Sequence, residues 1–136
     1  MSRASVLARG RRQAEAGMVD TCTIERIIGV TTDPDTGQTT DVMADEPVYV
    51  GRCRLREITA AMAREANPAP SVHQAMRYRV LQLPVVGSEG IEAGDVVTLT
   101  TCVNDPDMVG RTLVVRDQSG SSEQTARRLG VEELTG

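Results

Sequence analysis

The side chains that could do chemistry in this sequence are few and far apart. The one histidine is His73, and the three cysteines, Cys22, Cys53 and Cys102, are too widely spaced for the paired-cysteine motif of a zinc site. A zinc ion at His73 would need carboxylates for its other ligands. We therefore expect a structural or exposed histidine, and cysteines that serve as small buried hydrophobic residues in a reducing compartment.

Three aspartates superficially resemble a calcium-binding loop. Asp33, Asp35 and Asp41 surround Gly37, but the twelve-residue order, the terminal glutamate and the flanking helices of such a loop are missing. The chain also lacks the GxSxG nucleophile elbow, a phosphate-binding glycine loop and any lysine. No catalytic constellation results, so we expect a protein that is not an enzyme and that needs no metal or cofactor.

The composition excludes further classes of function. The 136 residues include no Phe, Trp or Lys and only two Tyr, and the net charge is -4. A core without large aromatic residues must be built from aliphatic side chains and is small for its length. The acidic balance and the scarcity of aromatic residues argue against a nucleic-acid-binding protein. Without a signal peptide or a membrane-length apolar run, we expect a soluble protein made in the cytosol.

The elements that must position these residues are one helix followed by short strands. Residues 2–17 predict a helix with a narrow apolar stripe, and from residue 19 onward β-type patterns alternate with turn signals. We predict a mainly β fold: a small antiparallel β-barrel or sandwich of six or seven strands with one N-terminal α-helix. The predicted strand segments are a hairpin over 19–43, then 48–55, 77–83, 95–103, 111–116 and 123–132.

The predicted domain organisation follows from these segments. Residues 2–17 form the N-terminal helix, and residues 18–134 form a single β-barrel domain. Within it we expect an extended hairpin loop at about 30–41, because Asp33 to Gly37 is a dense turn signal. A mobile Ala- and Pro-rich segment is expected at 57–72, which is either a short helix or a loop that becomes ordered on contact.

Arginines cluster near the start, in the middle and near the end of the chain. They either cover solvated faces with weak surface ion pairs or contact neighbouring subunits, where the forked guanidinium suits bidentate pairing with carboxylates. In the strand at 48–55 the arginines alternate with apolar residues and so share its outer face. The candidate subunit-interface residues are Arg9, Arg12, Arg52, Arg54, Arg56, Arg127 and Arg128.

The order of the segments resembles a known family. An Arg- and Ala-rich helix comes first and is followed by a Thr-rich hairpin that contains Asp-Thr-Gly. The next matching stretches are Val48–Leu55, Gly94–Leu99 and Asp105–Arg111, and the last is the sequence Thr-Ala-Arg-Arg-Leu. This order and spacing resemble the head-to-tail connector proteins, most often the stopper, of long-tailed phages that infect actinobacteria. The resemblance covers about Ser2 to Glu133 and is weakest at 57–72.

The resemblance implies a virion structural protein, assembled in the host cytoplasm and located at the head–tail junction. It implies a homo-oligomeric ring, commonly of twelve copies, between the portal and adaptor above and the tail terminator or tail tube below. The ring would seal the DNA channel and dock the tail, and DNA would pass without sequence-specific binding. No membrane contact is implied.

Within that ring, the candidate lumen or inter-ring loop carries Asp33, Asp35 and Asp41, because a channel crossed by DNA should not have a basic wall. Segment 57–72 is the competing candidate. The alternatives are a tail terminator or other tail-completion protein and, more remotely, a small ligand- or metal-binding barrel in which Asp33, Asp35 and His73 converge, or a hydrolase of unfamiliar design.

Overall fold

The computed structural model describes residues 2–57, 79–120 and 122–133 of the chain. Within these ranges one α-helix precedes eight strands, and a short 3-10 turn at Pro106–Met108 follows the sixth. The predicted mainly β fold with one N-terminal helix is confirmed. The elements are α1 (Arg3–Ala16), β1 (Asp20–Glu25), β2 (Ile27–Thr32), β3 (Thr39–Met43), β4 (Tyr49–Glu57), β5 (Arg79–Leu83), β6 (Val96–Thr101), β7 (Thr112–Ser119) and β8 (Arg127–Glu133).

Six of the strands close into an antiparallel barrel, in the order β1-β4-β5-β8-β7-β6. Closure occurs at β1, which pairs with β4 on one side and with β6 on the other. Of the two architectures that the sequence leaves open, a barrel or a sandwich, the structure is the barrel. A closed sheet has no unpaired edge strand, so the barrel itself offers no backbone edge to another chain.

The interior of the barrel is filled by aliphatic and cysteine side chains. Because successive residues of a strand point to opposite faces, every second residue enters the core. In β4, Tyr49 and Cys53 are buried, whereas Arg52, Arg54 and Arg56 are exposed, as the alternation predicts. The fully buried strand residues are Cys22, Ile24, Cys53, Leu81, Leu83, Val97, Leu99, Leu113, Val115, Leu129 and Val131.

The hairpin predicted over residues 19–43 is divided in the structure, and that prediction is wrong in its pairing. Its first strand, β1, belongs to the barrel, whereas β2 and β3 pair only with each other. The barrel continues beneath them, because the N–H of Val48 donates to the carbonyl of Ile24 (2.7 Å). The β2–β3 hairpin is therefore inserted between two neighbouring barrel strands.

Helix α1 lies against the barrel without burying any residue completely. Ser2 caps it, since its Oγ accepts the N–H of Ser5 (3.1 Å), and its half-buried stripe includes Leu7 and Ala14. The loop before β8 holds the middle of the helix through a hydrogen bond from Arg11 Nε to the carbonyl of Gln124 (3.2 Å). An isolated helix of this length is marginal in water, so α1 depends on such contacts.

Two features of the sequence analysis lie outside the described residues. His73 is one, and the other is the Ala- and Pro-rich segment 57–72, of which Glu57 alone is described, as the last residue of β4. No helix in the described ranges is long and apolar enough to cross a membrane.

Candidate functional site

The three predicted lumen aspartates all lie on the β2–β3 hairpin and are exposed. Asp33 shapes the tip: its Oδ1 accepts the N–H of Asp35 (2.9 Å), and its carbonyl accepts the N–H of Gly37 (2.8 Å), which has a φ of 73°. That left-handed conformation is accessible to glycine at no steric cost. Asp41 lies on β3 opposite Val30. The structure thus places two aspartates at the tip and one further down.

The hairpin is exposed on both faces. Every residue from Ile28 to Asp41 is exposed, and the side chains of Ile28 and Val30 leave 63% and 61% of their surface to solvent. Residues 27–48 carry five acidic side chains, Asp33, Asp35, Asp41, Asp45 and Glu46, and no basic one. A two-stranded hairpin is at best marginally stable alone in water. We conclude that the hairpin is a projecting acidic element that lacks a packing partner within the described residues.

Arg26 fixes the position from which the hairpin leaves the barrel. Its Nε and Nη2 donate to Oδ1 and Oδ2 of Asp95, both at 3.1 Å, and Nη2 also donates to the carbonyl of Gly90 (2.6 Å). The side chain of Asp95 is 3% exposed, and its Oδ2 also accepts the N–H of Glu92 (2.8 Å). The hydrogen bonds to Asp95 raise the pKa of Arg26, so its guanidinium stays charged.

Sequence reasoning missed this ion pair. Arg26 and Asp95 are separated by 69 positions, and neither belongs to an arginine cluster or a turn motif. The only available signal was a pair of adjacent charges, Glu25 and Arg26, between two Ile-containing β-type stretches, where β1 ends and β2 begins. Such a pair indicates a break in a strand, but it does not identify the partner of Arg26.

Three exposed arginines lie close together on the outer wall of the barrel. Arg54 on β4 is opposite Gln82 on β5, and Gln82 is opposite Arg128 on β8. Arg56 is two residues further along β4, on the same face. None of these three guanidinium groups has an ion-pair partner within the described ranges. We call Arg54, Arg56 and Arg128 the arginine row.

The other candidate arginines have different surroundings. Arg52 forms an exposed ion pair with Glu15 of α1 (3.4 Å), which ties the end of the helix to β4. Arg9 and Arg12 lie exposed on α1. Whether these arginines contact another subunit stays a prediction, as it does for the arginine row.

Arg127 differs from the other candidate interface residues because its side chain is bound within its own subunit. Its side chain is half-buried, its Nε donates to Ser88 Oγ (2.8 Å), and its Nη2 donates to the carbonyl of Val85 (3.1 Å). The Ser88 hydroxyl in turn donates to the carbonyl of Pro84. This guanidinium holds the loop between β5 and β6 inside its own subunit, and a contact with a neighbour stays a prediction.

The cysteines have no arrangement suited to metal binding or catalysis. Cys22 and Cys53 are fully buried on neighbouring barrel strands, and hydrogen bonding to Cys22 together with burial raises the pKa of Cys53. Cys102 is half-buried, with Sγ 3.7 Å from Oδ2 of Asp20, and burial followed by the charge of Asp20 raises its pKa. Raised pKa values keep thiols protonated and unreactive. Among the described residues no three His, Cys, Asp or Glu side chains group as metal ligands do.

Comparison with known proteins gives a family and a fold. A family model described as "Family of unknown function (DUF6093)" matches residues 10–132. None of the curated proteins matches the chain. Among solved structures, the solution structure of protein SF1141 from Shigella flexneri 2a is similar, with a TM-score of 0.58, 14% identity, and coverage of 85% of this chain and 92% of that one. At this identity, the likeness concerns the fold alone.

Proposed function

Because the chain belongs to the DUF6093 family, whose function is unknown, we propose a function from its own residues: it is a structural ring protein of a phage head–tail junction, the stopper between the portal and adaptor and the tail. In this role the ring seals the DNA channel and offers a docking surface to the tail. The order of sequence segments suggests this family of proteins, and the architecture of the chain suits the role.

The observation that carries the proposal is the pairing of a closed barrel with a projecting hairpin. The barrel has no free edge and needs no partner for its backbone, whereas the hairpin is exposed on both faces and is marginal alone. A subunit of this kind has a barrel that closes on itself and a hairpin that gains its remaining order on assembly.

The charge of the hairpin fits a channel crossed by DNA. Asp33 and Asp35 at its tip are exposed and acidic, and the hairpin carries no basic side chain. A negative surface does not retain the phosphate backbone, whereas a basic wall would bind it and release counterions. We place the tip in the lumen on this ground.

The remote alternative, a ligand-binding barrel, has less support. Barrels that hold a ligand have at least about eight strands, and this one has six whose inner positions are occupied by buried side chains. Asp33 and Asp35 are on the exposed hairpin tip, on the far side of the Arg26 junction from the barrel. A pocket formed by them would have to lie outside the barrel.

Electron microscopy of the particles that carry this chain tests the proposal. We expect a ring of the chain, identified with a labelled fusion, between the portal assembly and the tail, and we expect filled heads that leak DNA when the chain is omitted. The chain confined to the tail tube, or present only free in infected cells, would overturn the proposal. A ring capping the tail in particles that lack heads would favour the tail terminator instead.

A further inference from the structure

We propose that the subunits of this ring join head to tail, with the base of the hairpin of one copy docked on the arginine row of the next copy. This inference rests on the proposed function and identifies the contact by which the ring is built. The hairpin base is defined as Val30, Asp41, Asp45 and Glu46, the part of the hairpin region nearer the barrel.

Both surfaces carry charge that the isolated chain leaves unpaired. Arg54, Arg56 and Arg128 have no carboxylate partner within the described residues, although the same chain pairs most of its other barrel arginines. Asp41, Asp45 and Glu46 are likewise exposed and free of ion pairs in the described ranges. Exposed charges of opposite sign attract across an interface and select the partner.

The two surfaces are of similar size. Arg54 and Arg128 are two strands apart, which separates their backbones by about 10 Å, and Arg56 is about 7 Å from Arg54 along β4. Asp41 and Asp45 are four residues apart in the chain, so their backbones are at most about 13 Å apart. Carboxylates at this spacing can reach two guanidinium groups of the row at once.

The partner is a second copy of this chain because both complementary surfaces belong to it. The contact is heterologous, since the hairpin base of one copy meets a different surface on the next. Repeated heterologous contacts produce closed rings when the rotation closes, whereas an isologous contact stops at a dimer. With the base so docked, the tip beyond it, with Asp33 and Asp35, remains free to line the channel.

Apolar contact adds to the charge pairing. Val30 lies directly opposite Asp41 and is 61% exposed, and Val50 on the outer face of β4 is 64% exposed. Docking the hairpin on this wall removes apolar surface from water at a site where charge pairing alone would be weak. It also gives the marginal hairpin the packing partner that it lacks within the described residues.

Variants that replace the charged side chains by neutral polar ones test the contact. The row variant carries Arg54→Gln and Arg128→Gln, and the base variant carries Asp41→Asn and Asp45→Asn. Matched controls remove equal charge elsewhere: one carries Arg3→Gln and Arg116→Gln, and the other carries Asp105→Asn and Asp107→Asn in the loop before β7. All of these positions are exposed, and circular dichroism checks that each variant is folded. Self-association is measured by sedimentation velocity at low ionic strength.

We expect each variant to weaken self-association about tenfold or more relative to the wild type and the controls, and added salt to weaken the wild type. An equimolar mixture of row and base variants should form dimers and nothing larger. One intact hairpin base can meet one intact row, but the reverse contact is lost. A chain that carries Arg54→Glu, Arg128→Glu, Asp41→Arg and Asp45→Arg together should associate again.

Three results would overturn the inference: wild-type association in both variants, larger rings from the mixture, or a wild-type chain that stays monomeric at the highest concentration reached. Loss of association in the row variant alone would also overturn it, because the row would then contact a surface of the next copy other than the hairpin base. Particles whose ring is intact despite the row substitutions would refute this contact and leave the proposed function standing. A head-to-tail contact in solution without a ring at the junction would refute the proposed function instead.

Discussion

Replacing Asp95 by asparagine is expected to weaken the junction between barrel and hairpin more than any change on the hairpin itself. The Asp95 carboxylate accepts three hydrogen bonds, two from the Arg26 guanidinium and one from the N–H of Glu92. An asparagine keeps one acceptor oxygen and turns its amide NH2 toward one of these donors. The substitution therefore removes the negative charge and opposes donor to donor at a side chain that is 3% exposed.

The structure sets the size of this effect. Hydrogen bonds to charged groups contribute about 1.5 to 3 kcal/mol each, and a donor left unpaired beside a buried group costs about 1 to 3 kcal/mol. The guanidinium of Arg26 is 34% exposed, so water replaces part of what it loses. We expect Asp95→Asn to lower the free energy of unfolding by about 2 to 4 kcal/mol. With a slope of about 2 kcal/mol per M urea, the unfolding midpoint falls by about 1 to 2 M.

Urea unfolding followed by circular dichroism measures this difference. Asp41→Asn is the matched control, since it makes the same chemical change on an exposed carboxylate without an ion pair, and we expect a change within about 0.5 kcal/mol. Hydrogen exchange adds a local measurement: in Asp95→Asn, amides of β2 and β3 should exchange faster by a larger factor than those of β4 and β5.

Equal unfolding midpoints for Asp95→Asn and Asp41→Asn would refute this reasoning, because the ion pair would then contribute no more than an exposed charge. A lower midpoint with uniformly faster exchange would also contradict it. In that case Asp95 would stabilise the barrel as a whole and would have no particular role at the base of the hairpin.

Three further predictions concern the interior. In Tyr78→Phe, which leaves Tyr49 as the only tyrosine, absorbance titration should show tyrosinate forming near pH 12, because burial raises the pKa of Tyr49 to about 12. The free energy of unfolding should fall as pH rises from 10 through 12, because the phenol of the unfolded chain ionises first. Tyrosinate formation at pH 10 in the folded protein would contradict this. A thiol reagent should modify Cys102 before the two buried cysteines, and this fast phase of modification should be missing in Cys102→Ser. Modification of Cys53 at the same rate as Cys102 would argue against the burial of Cys53. Leu129→Ala should lower the free energy of unfolding by about 2 to 5 kcal/mol, and a change below about 1 kcal/mol would indicate an open, ligand-sized interior.

The barrel could be predicted from the sequence because its signals are local. The alternation of arginines with Tyr49 and Cys53 in β4, and turn signals at regular intervals, depend only on neighbouring residues. Closure could not be predicted in this way. It depends on β1 meeting β6, with Thr23 opposite Thr98, and no short-range pattern contains that pairing.

The candidate surfaces were predictable in part, for a similar reason. Exposure of Asp33 and Asp35 follows from turn chemistry, and both are exposed in the structure. The roles of individual arginines depend on distant partners. Arg127 and Arg128 are adjacent in the chain, yet one is bound to Ser88 inside the subunit and the other faces solvent, because successive residues of β8 point to opposite sides.

The β2–β3 hairpin is inserted between two strands that pair without it, so its length can change independently of the barrel. Because Val48 bonds to Ile24 beneath it, the barrel register is closed without any contribution from residues 27–46. Doubling the length of such an inserted loop costs only about 0.6 kcal/mol in closure entropy. Natural selection can therefore lengthen or shorten the tip of this arm without disturbing the barrel. Related chains should then differ most in length between Arg26 and Val48.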